Sequence, residues 1–286
     1  MAVTPPVVLT IAGFDPSSGA GITADIKTIA AHECYGVSCI TALTVQSTQG
    51  VRRVDGVDPK IIAETLQELL SDFAIEAVHI GMLGNEQAVK VVADFLAKAR
   101  PPHVVLDPIL KSTSGADLLD AAGTRLLIER MIPLAEVIAP NLDEASVLTG
   151  MAVTNLDQMR AAATCLHSLG AANVVVTGGH LEKAIDLLSF RSARGIEQEI
   201  FKADHLDSNS THGTGCAFAT ALACHLAHGR GLPEAVLLSK AYVSAAITNA
   251  HPLGNGVGPL HHLYRMGQQR RASAIISESE HSDSRK

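Results

Sequence analysis

Six consecutive residues, Thr211-His212-Gly213-Thr214-Gly215-Cys216, have the makings of a site for a transferred anion. Two glycines shape a turn, and Ala217 to Ala223 continue it as an alanine-rich helix. The first N–H groups of a helix lack intrahelical partners and lie at the positive end of its dipole. Gly213, Thr214 and Gly215 therefore outline an anion hole. Cys216 would sit at that anion site, where the helix end is expected to lower its thiol pKa and make it a base or nucleophile. The bland alternative is a glycine-shaped loop with a small buried cysteine behind it. Both readings stand on this motif alone.

Other segments are chemically loaded as well. Gly13-Phe14-Asp15-Pro16-Ser17-Ser18-Gly19-Ala20-Gly21 lets a ligand approach the backbone. It has neither the spacing and lysine of a P-loop nor a G-x-G-x-x-G pattern, so it suits a small substrate better than a nucleotide's phosphates. Asp25, one turn into the next helix, is either a polar substrate contact or a first-turn acid favoured by the dipole. Gln46 carries a donor and an acceptor that can read a heteroaromatic edge, or it is an ordinary loop glutamine. Met82, within Ile80-Gly81-Met82-Leu83-Gly84, can cover a ring or fill the core. Asp107-Pro108 stands at a strand end. Asn141 and Glu144 meet at the start of a helix, where they can ligate Mg²⁺ directly or through water; they can also form a capping box worth about 1 kcal/mol. Thr177-Gly178-Gly179-His180 again opens backbone to a ligand.

These segments must be held by a scaffold, and the chain alternates strand-like and helical runs. Strands are expected at 7–12, 37–43, 77–80, 104–106, 137–139 and 174–177. Helices are expected at 22–31, 59–70, 86–99, 156–169, 217–227 and 233–250. Such alternation builds right-handed βαβ units: an α/β protein with a mainly parallel sheet and helices on both faces. Residues 187–190 and 198–201 around Gly195 read as an antiparallel hairpin at the sheet's far edge. Ligands of an open parallel sheet bind beyond the carboxyl ends of its strands, where the loaded loops fall. One domain over 1–267 is expected, followed by a polar, disordered tail over 268–286.

Composition narrows the function classes. A net charge of −7 over 286 residues gives no support for nucleic-acid binding, which usually shows as a basic face. No apolar run is long enough to cross a bilayer, and the N-terminus lacks a signal-peptide pattern. Five cysteines without C-x-x-C spacing argue against a disulfide framework and for a reducing, cytoplasmic setting. Neither His225/His228 nor His261-His262 comes with a third metal ligand at a recognised spacing.

Taken in order, the motifs resemble a known family. Thr10-Ile11-Ala12-Gly13, Asp15-Pro16-Ser17, Gly19-Ala20-Gly21-Ile22 and Ala24-Asp25 are similar to the N-terminal signature of the hydroxymethylpyrimidine/phosphomethylpyrimidine kinases of thiamine biosynthesis. The likeness continues through Gln46, Ile80 to Gly84, Leu106-Asp107-Pro108, Pro140-Asn141-Leu142, Gly178-Gly179-His180 and Thr211 to Cys216, covering roughly residues 7 to 255. That resemblance implies a ribokinase-like α/β/α fold with a small lid or none, and a homodimer. It also implies two successive ATP-dependent phosphorylations, of 4-amino-5-hydroxymethyl-2-methylpyrimidine and then of its monophosphate. The pyrimidine is expected among Gly13, Ala20, Asp25, Gln46, Met82 and Ile109. Asn141 and Glu144 would face Mg²⁺ and the ATP phosphates, with Thr177, Gly179 and His212 beside the nucleotide. Gly213 to Cys216 would form the anion hole, with Cys216 in place of the aspartate base of most ribokinase relatives.

Three positions depart from the pattern. Phe14 replaces a small hydroxyl residue, Lys111 an aliphatic one, and Thr177 the lysine that often helps neutralise ATP phosphates; Lys111 is the candidate to restore that charge. A pyridoxal kinase on the same scaffold and a pyrimidine-binding sensor without catalysis are the alternatives.

Overall fold

Val8 and Leu9 are neighbours in sequence and both are fully buried, so the first strand has protein on each of its faces. A strand sends successive side chains to opposite sides. The computed structural model describes residues 4–112, 115–179, 184–204, 206 and 208–266. His180 and the 268–286 tail lie outside the described residues.

The elements run β1 Val7–Phe14, α1 Gly21–Ala31, β2 Tyr35–Ser47, β3 Gly50–Gly56, α2 Pro59–Asp72, β4 Ile75–Ile80, α3 Glu86–Ala99, β5 Val104–Leu106 and α4 Ala121–Leu126. They continue with β6 Val137–Ile138, α5 Leu142–Thr149, α6 Leu156–Ser168, β7 Asn173–Gly178, β8 Ala184–Ser192, β9 Gly195–Ala203, α7 Thr214–Ala227 and α8 Leu232–Thr248. One sheet holds all the strands in the order β3-β2-β1-β4-β5-β6-β7-β8-β9. Pairings from β2 through β7 are parallel, whereas β3, β8 and β9 add antiparallel edges.

Leu9, Ile11, Val78, Ile80 and Leu106 point to one face and pack beneath α2 to α6. Val8, Ala77, Val105, Val137 and Val175 point to the other, beneath α1, α7 and α8. Every residue of α7 from Cys216 to Leu226 is buried. A helix apolar on all sides belongs inside, and its alanines let it lie close to both sheet and neighbouring helices.

The expected strands and the β8–β9 hairpin are present. Besides the irregular helical turns Leu127–Met131 and Ile132–Leu134, a strand and a short α-helix were not expected. β3, with sequence GVRRVDG, is largely exposed and lacks a clear apolar alternation. The short α4 starts at an Asp120 cap, which accepts the Gly123 amide, and has too few turns to show a period. Pairing with β3 also extends β2 to Ser47, which makes Gln46 a strand residue where a loop was expected. No helix among the described residues is long and apolar enough to cross a membrane.

Candidate active site

Two helices begin side by side without side-chain caps. The N-cap of α1 is Ala20 and that of α7 is Gly213, and neither offers an acceptor to the exposed N–H groups. Gly213 adopts φ +83°, and a Cβ there would stand 1.9 Å from the carbonyl oxygen of Gly19. Only glycine meets both demands. The close approach seats the turn before α7 directly on the loop after β1.

Three side chains lock that contact. His212 Nε2 lies 2.9 Å from Asp15 Oδ2 and 3.2 Å from Gln46 Nε2. Asp15 also accepts from the amides of Ser17 and Ala20, so it organises its own loop as well. The hydrogen bonds of His212 and Ser17 outweigh the upward push of burial and hold the Asp15 carboxyl below its ordinary pKa. Gln46 Oε1 accepts from Thr44 Oγ1 at 3.2 Å. A small cavity of about 70 Å³ lies between Gln46, Ser112, His212 and Val257.

Cys216 lies behind the first turn of α7, where its Sγ accepts from the Gly21 amide at the start of α1. The expectation of a lowered thiol pKa is corrected here. Burial, followed by the charges of Asp107 and Asp25, pushes the Cys216 thiol well above its ordinary value. Desolvation and three nearby carboxylates outweigh the helix end.

A carboxylate close to the start of α7 is one that the sequence shows only as a strand end. Asp107 Oδ2 is buried without a hydrogen-bond partner among the described residues and lies 3.8 Å from where a Cβ on Gly215 would be. Burial and the neighbouring Glu144 push its pKa well up. Burial also pushes Glu144 up to about 7, against hydrogen bonds from Asn141 and Leu110 amides. Asn141 and Glu144 form a reciprocal capping box on α5: Glu144 Oε2 accepts from Asn141 N–H and Asn141 Oδ1 from Glu144 N–H, each at 2.9 Å. The capping reading is thus realised in full.

The remaining expected positions separate. Gly13, Met82 and Ile109 come together: Met82 Sδ lies 2.9 Å from a Cβ built on Gly13, and Ile109 packs with Met82, Ala42 and Leu118. Asp25 does not line an opening. It is fully buried, accepting from Thr10 Oγ1 at 2.6 Å and Thr220 Oγ1 at 2.9 Å, with His79 Nδ1 3.3 Å away. Those partners tie α1 to β1, β4 and α7. Thr177 bridges to Asn141 and donates its amide to Pro140 O, while Gly179 has open space around it. Lys111 is exposed and faces Asp117 at 3.4 Å. The buried cation near this turn is instead Lys240, 2.7 Å from Asp186 Oδ2, whose Oδ1 accepts from Gly178 N–H.

A family model described as Phosphomethylpyrimidine kinase matches residues 15–261. The chain belongs to the phosphomethylpyrimidine kinase family. It is 40% identical over 267 residues to the hydroxymethylpyrimidine/phosphomethylpyrimidine kinase of Streptomyces coelicolor, covering 93% of this chain and 97% of that one. It is 42% identical over 258 residues to the thiamine biosynthesis bifunctional protein ThiED of Geobacter sulfurreducens, covering 90% of this chain but only 52% of that longer protein. Its fold matches the ADP complex of Bacillus subtilis pyridoxal kinase with TM-score 0.83 and 34% identity, over 92% of this chain and all of that one. It also matches a Clostridium difficile phosphomethylpyrimidine kinase with TM-score 0.75 and 37% identity, over 85% and 99% of the two chains. The family's ribokinase-like α/β/α architecture is therefore the fold described above.

Proposed function

We propose that this chain uses ATP to phosphorylate the hydroxymethyl group of 4-amino-5-hydroxymethyl-2-methylpyrimidine, and then phosphorylates the monophosphate to the diphosphate. What carries the reading is the 40% identity, spanning nearly the whole of both chains, to a kinase of that name. Residues 1–267 are read as one kinase domain, in keeping with a single sheet running from β3 to β9.

Phosphoryl transfer rests mainly on positioning and charge neutralisation. The uncapped amides at the start of α7, Gly215 and Cys216 among them, are the donors for the transferring group. Loss of one such donor typically costs on the order of 100- to 1000-fold. Gly13, Met82 and Ile109 offer a soft apolar wall for the pyrimidine, and Gln46 leaves His212 to read its polar edge.

Asp107 supports a cation at this site. Burial and Glu144 favour the protonated form of Asp107, and a positive charge between it and bound phosphate is what would let it ionise there. Asp107 and Glu144 are hard oxygen donors, and Mg²⁺ commonly takes one or two carboxylates with the remaining positions filled by phosphates and water. When bound, Mg²⁺ would neutralise charge on the phosphates. Screening Asp107, Asp25 and Glu144 would offset the part of the upward shift that comes from their charges, though not the larger part that comes from burial, so a base role for the thiol requires the loaded site. The second step has a phosphate nucleophile and needs no base.

A second reading, pyridoxal kinase, is favoured by the fold match to the Bacillus subtilis enzyme. A coupled ATP assay with the pyrimidine, its monophosphate and pyridoxal decides between them. Turnover of both pyrimidines is expected. Turnover of pyridoxal alone would establish the second reading, and no turnover with any substrate would indicate a binding protein.

A further inference from the structure

On the side of the molecule served by α1, α7 and α8, the described residues place two thiols together that the phosphoryl-transfer site does not use. Cys34, between α1 and β2, is at the edge of burial with 9% of its surface exposed; Cys224, in the third turn of α7, is fully enclosed. Both belong to the same packed cluster, close enough for each thiol to act on the other's ionisation. Neither is in a disulfide.

A histidine completes the arrangement. His228 Nε2 lies 2.8 Å from the carbonyl oxygen of His32 and 3.3 Å from Cys34 Sγ. A carbonyl can only accept, so Nε2 carries the proton, and that N–H is shared with the sulfur. Cys34 Sγ is 3.6 Å from the same carbonyl, which accepts its S–H.

We propose that Cys34 and Cys224 form a redox pair in which a hydroperoxide oxidises Cys34 and Cys224 resolves the product into an intramolecular disulfide. The division of labour follows the environments. The Cys224 thiol and His228 supply hydrogen bonds and charge that pull Cys34 below its ordinary pKa, against burial and Glu33. Burial pushes Cys224 well above its own. The attacking sulfur must be a thiolate and must be reachable by the oxidant, and Cys34 meets both conditions better.

In the first step the Cys34 thiolate attacks one peroxide oxygen. An S–O bond forms, the O–O bond breaks, and hydroxide leaves, so sulfur is oxidised by two electrons and peroxide reduced. In the second, the Cys224 sulfur attacks Cys34. An S–S bond forms, the S–O bond breaks, and the leaving oxygen departs as water with the Cys224 proton. The sum is two thiols and hydrogen peroxide giving a disulfide and two waters. Cys224 follows Cys216 by eight residues, roughly 12 Å along one helix, so the bond would clamp the helix that carries the anion hole.

The test treats the full-length protein with hydrogen peroxide, blocks remaining thiols, and maps peptides by mass without reduction. A peptide pair joining Cys34 to Cys224, with two of the five cysteines unblocked and both recovered by dithiothreitol, is expected. Cys224→Ser should leave Cys34 as a sulfenic acid trapped by dimedone. Cys34→Ser should abolish peroxide-dependent loss of the Cys224 thiol. A crosslink between other cysteines, five unchanged thiols, or Cys34 passing to sulfinic acid with Cys224 still reduced would each overturn the proposal. The wild-type map decides the matter if either variant fails to fold.

Discussion

Asp15 Oδ2 lies 2.9 Å from His212 Nε2, which joins residues 197 positions apart and fastens the loop after β1 to the turn before α7. Both loops approach one another so closely that a Cβ on Gly19 would come within 2.2 Å of the His212 ring. A small displacement at either end would move the start of α7, the proposed anion hole, relative to the loop after β1, the proposed substrate loop. Asp15→Asn keeps the shape and removes the charge. It is expected to lower kcat/KM for the pyrimidine on the order of 10- to 100-fold, as misplacement by about 1 Å does elsewhere. Steady-state kinetics check this, with far-UV circular dichroism unchanged.

Cys216 is expected to separate the two proposed phosphorylation steps. If its thiol takes the alcohol's proton in the loaded site, Cys216→Ala should slow the first phosphorylation on the order of 100- to 10,000-fold and leave the second within a few-fold. Single-turnover assays on each substrate read the two rates. Equal losses would show that the thiol only shapes the turn.

Glu144 should make the protein's stability depend on pH and on divalent cations. Its folded-state pKa of about 7 stands above the ordinary 4.5, so the folded chain holds the extra proton between those values. This contribution is therefore present at low pH and is lost as pH rises through 7. Glu144→Gln preserves the capping box, in which glutamine also serves. The stability difference between wild type and variant should change by about 1–3 kcal/mol from pH 5 to pH 8. Mg²⁺ should stabilise wild type more at pH 8 than at pH 6, because it competes with that proton. Thermal unfolding with and without Mg²⁺ measures both.

Three buried histidines act in the opposite direction. Burial pulls His32 and His262 down to about 4 and His225 to about 3. Their ring nitrogens include several without partners. The folded chain keeps them neutral while the unfolded chain protonates them from pH 6.5 downward, so stability falls as pH drops through that window toward their folded values. His225→Leu, which removes one such site, should move the acid-unfolding midpoint to lower pH. Acid titration followed by circular dichroism tests this.

The Lys240–Asp186 pair, at 2.7 Å and almost enclosed, holds the turn after β7 through Gly178. Lys240→Met leaves a buried carboxylate uncompensated and should cost about 3–5 kcal/mol in urea unfolding. Lys240→Arg should restore part of that loss. If Thr177 and Gly179 serve the nucleotide, the methionine variant will also raise the KM for ATP.

The sequence by itself determined the α/β alternation, the family, and the loops that gather at the strand ends. Those features are written in local periodicity and in motifs such as Thr211 to Cys216, whose spacing does not depend on distant partners. It also contained the capping box at Asn141 and Glu144, because that motif is completed within four residues. Only the tertiary structure decided the electrostatics. Asp25 stood between a substrate contact and a first-turn acid, and the fold encloses it with Thr10, His79 and Thr220 from three other elements. Asp107 read as a strand end until the fold set it beside Gly215, and Lys240 was invisible as the cation near Gly178. The sign of the Cys216 shift reversed for the same reason. A helix dipole is a local property, whereas burial and the carboxylates around a thiol come from residues far away in the chain.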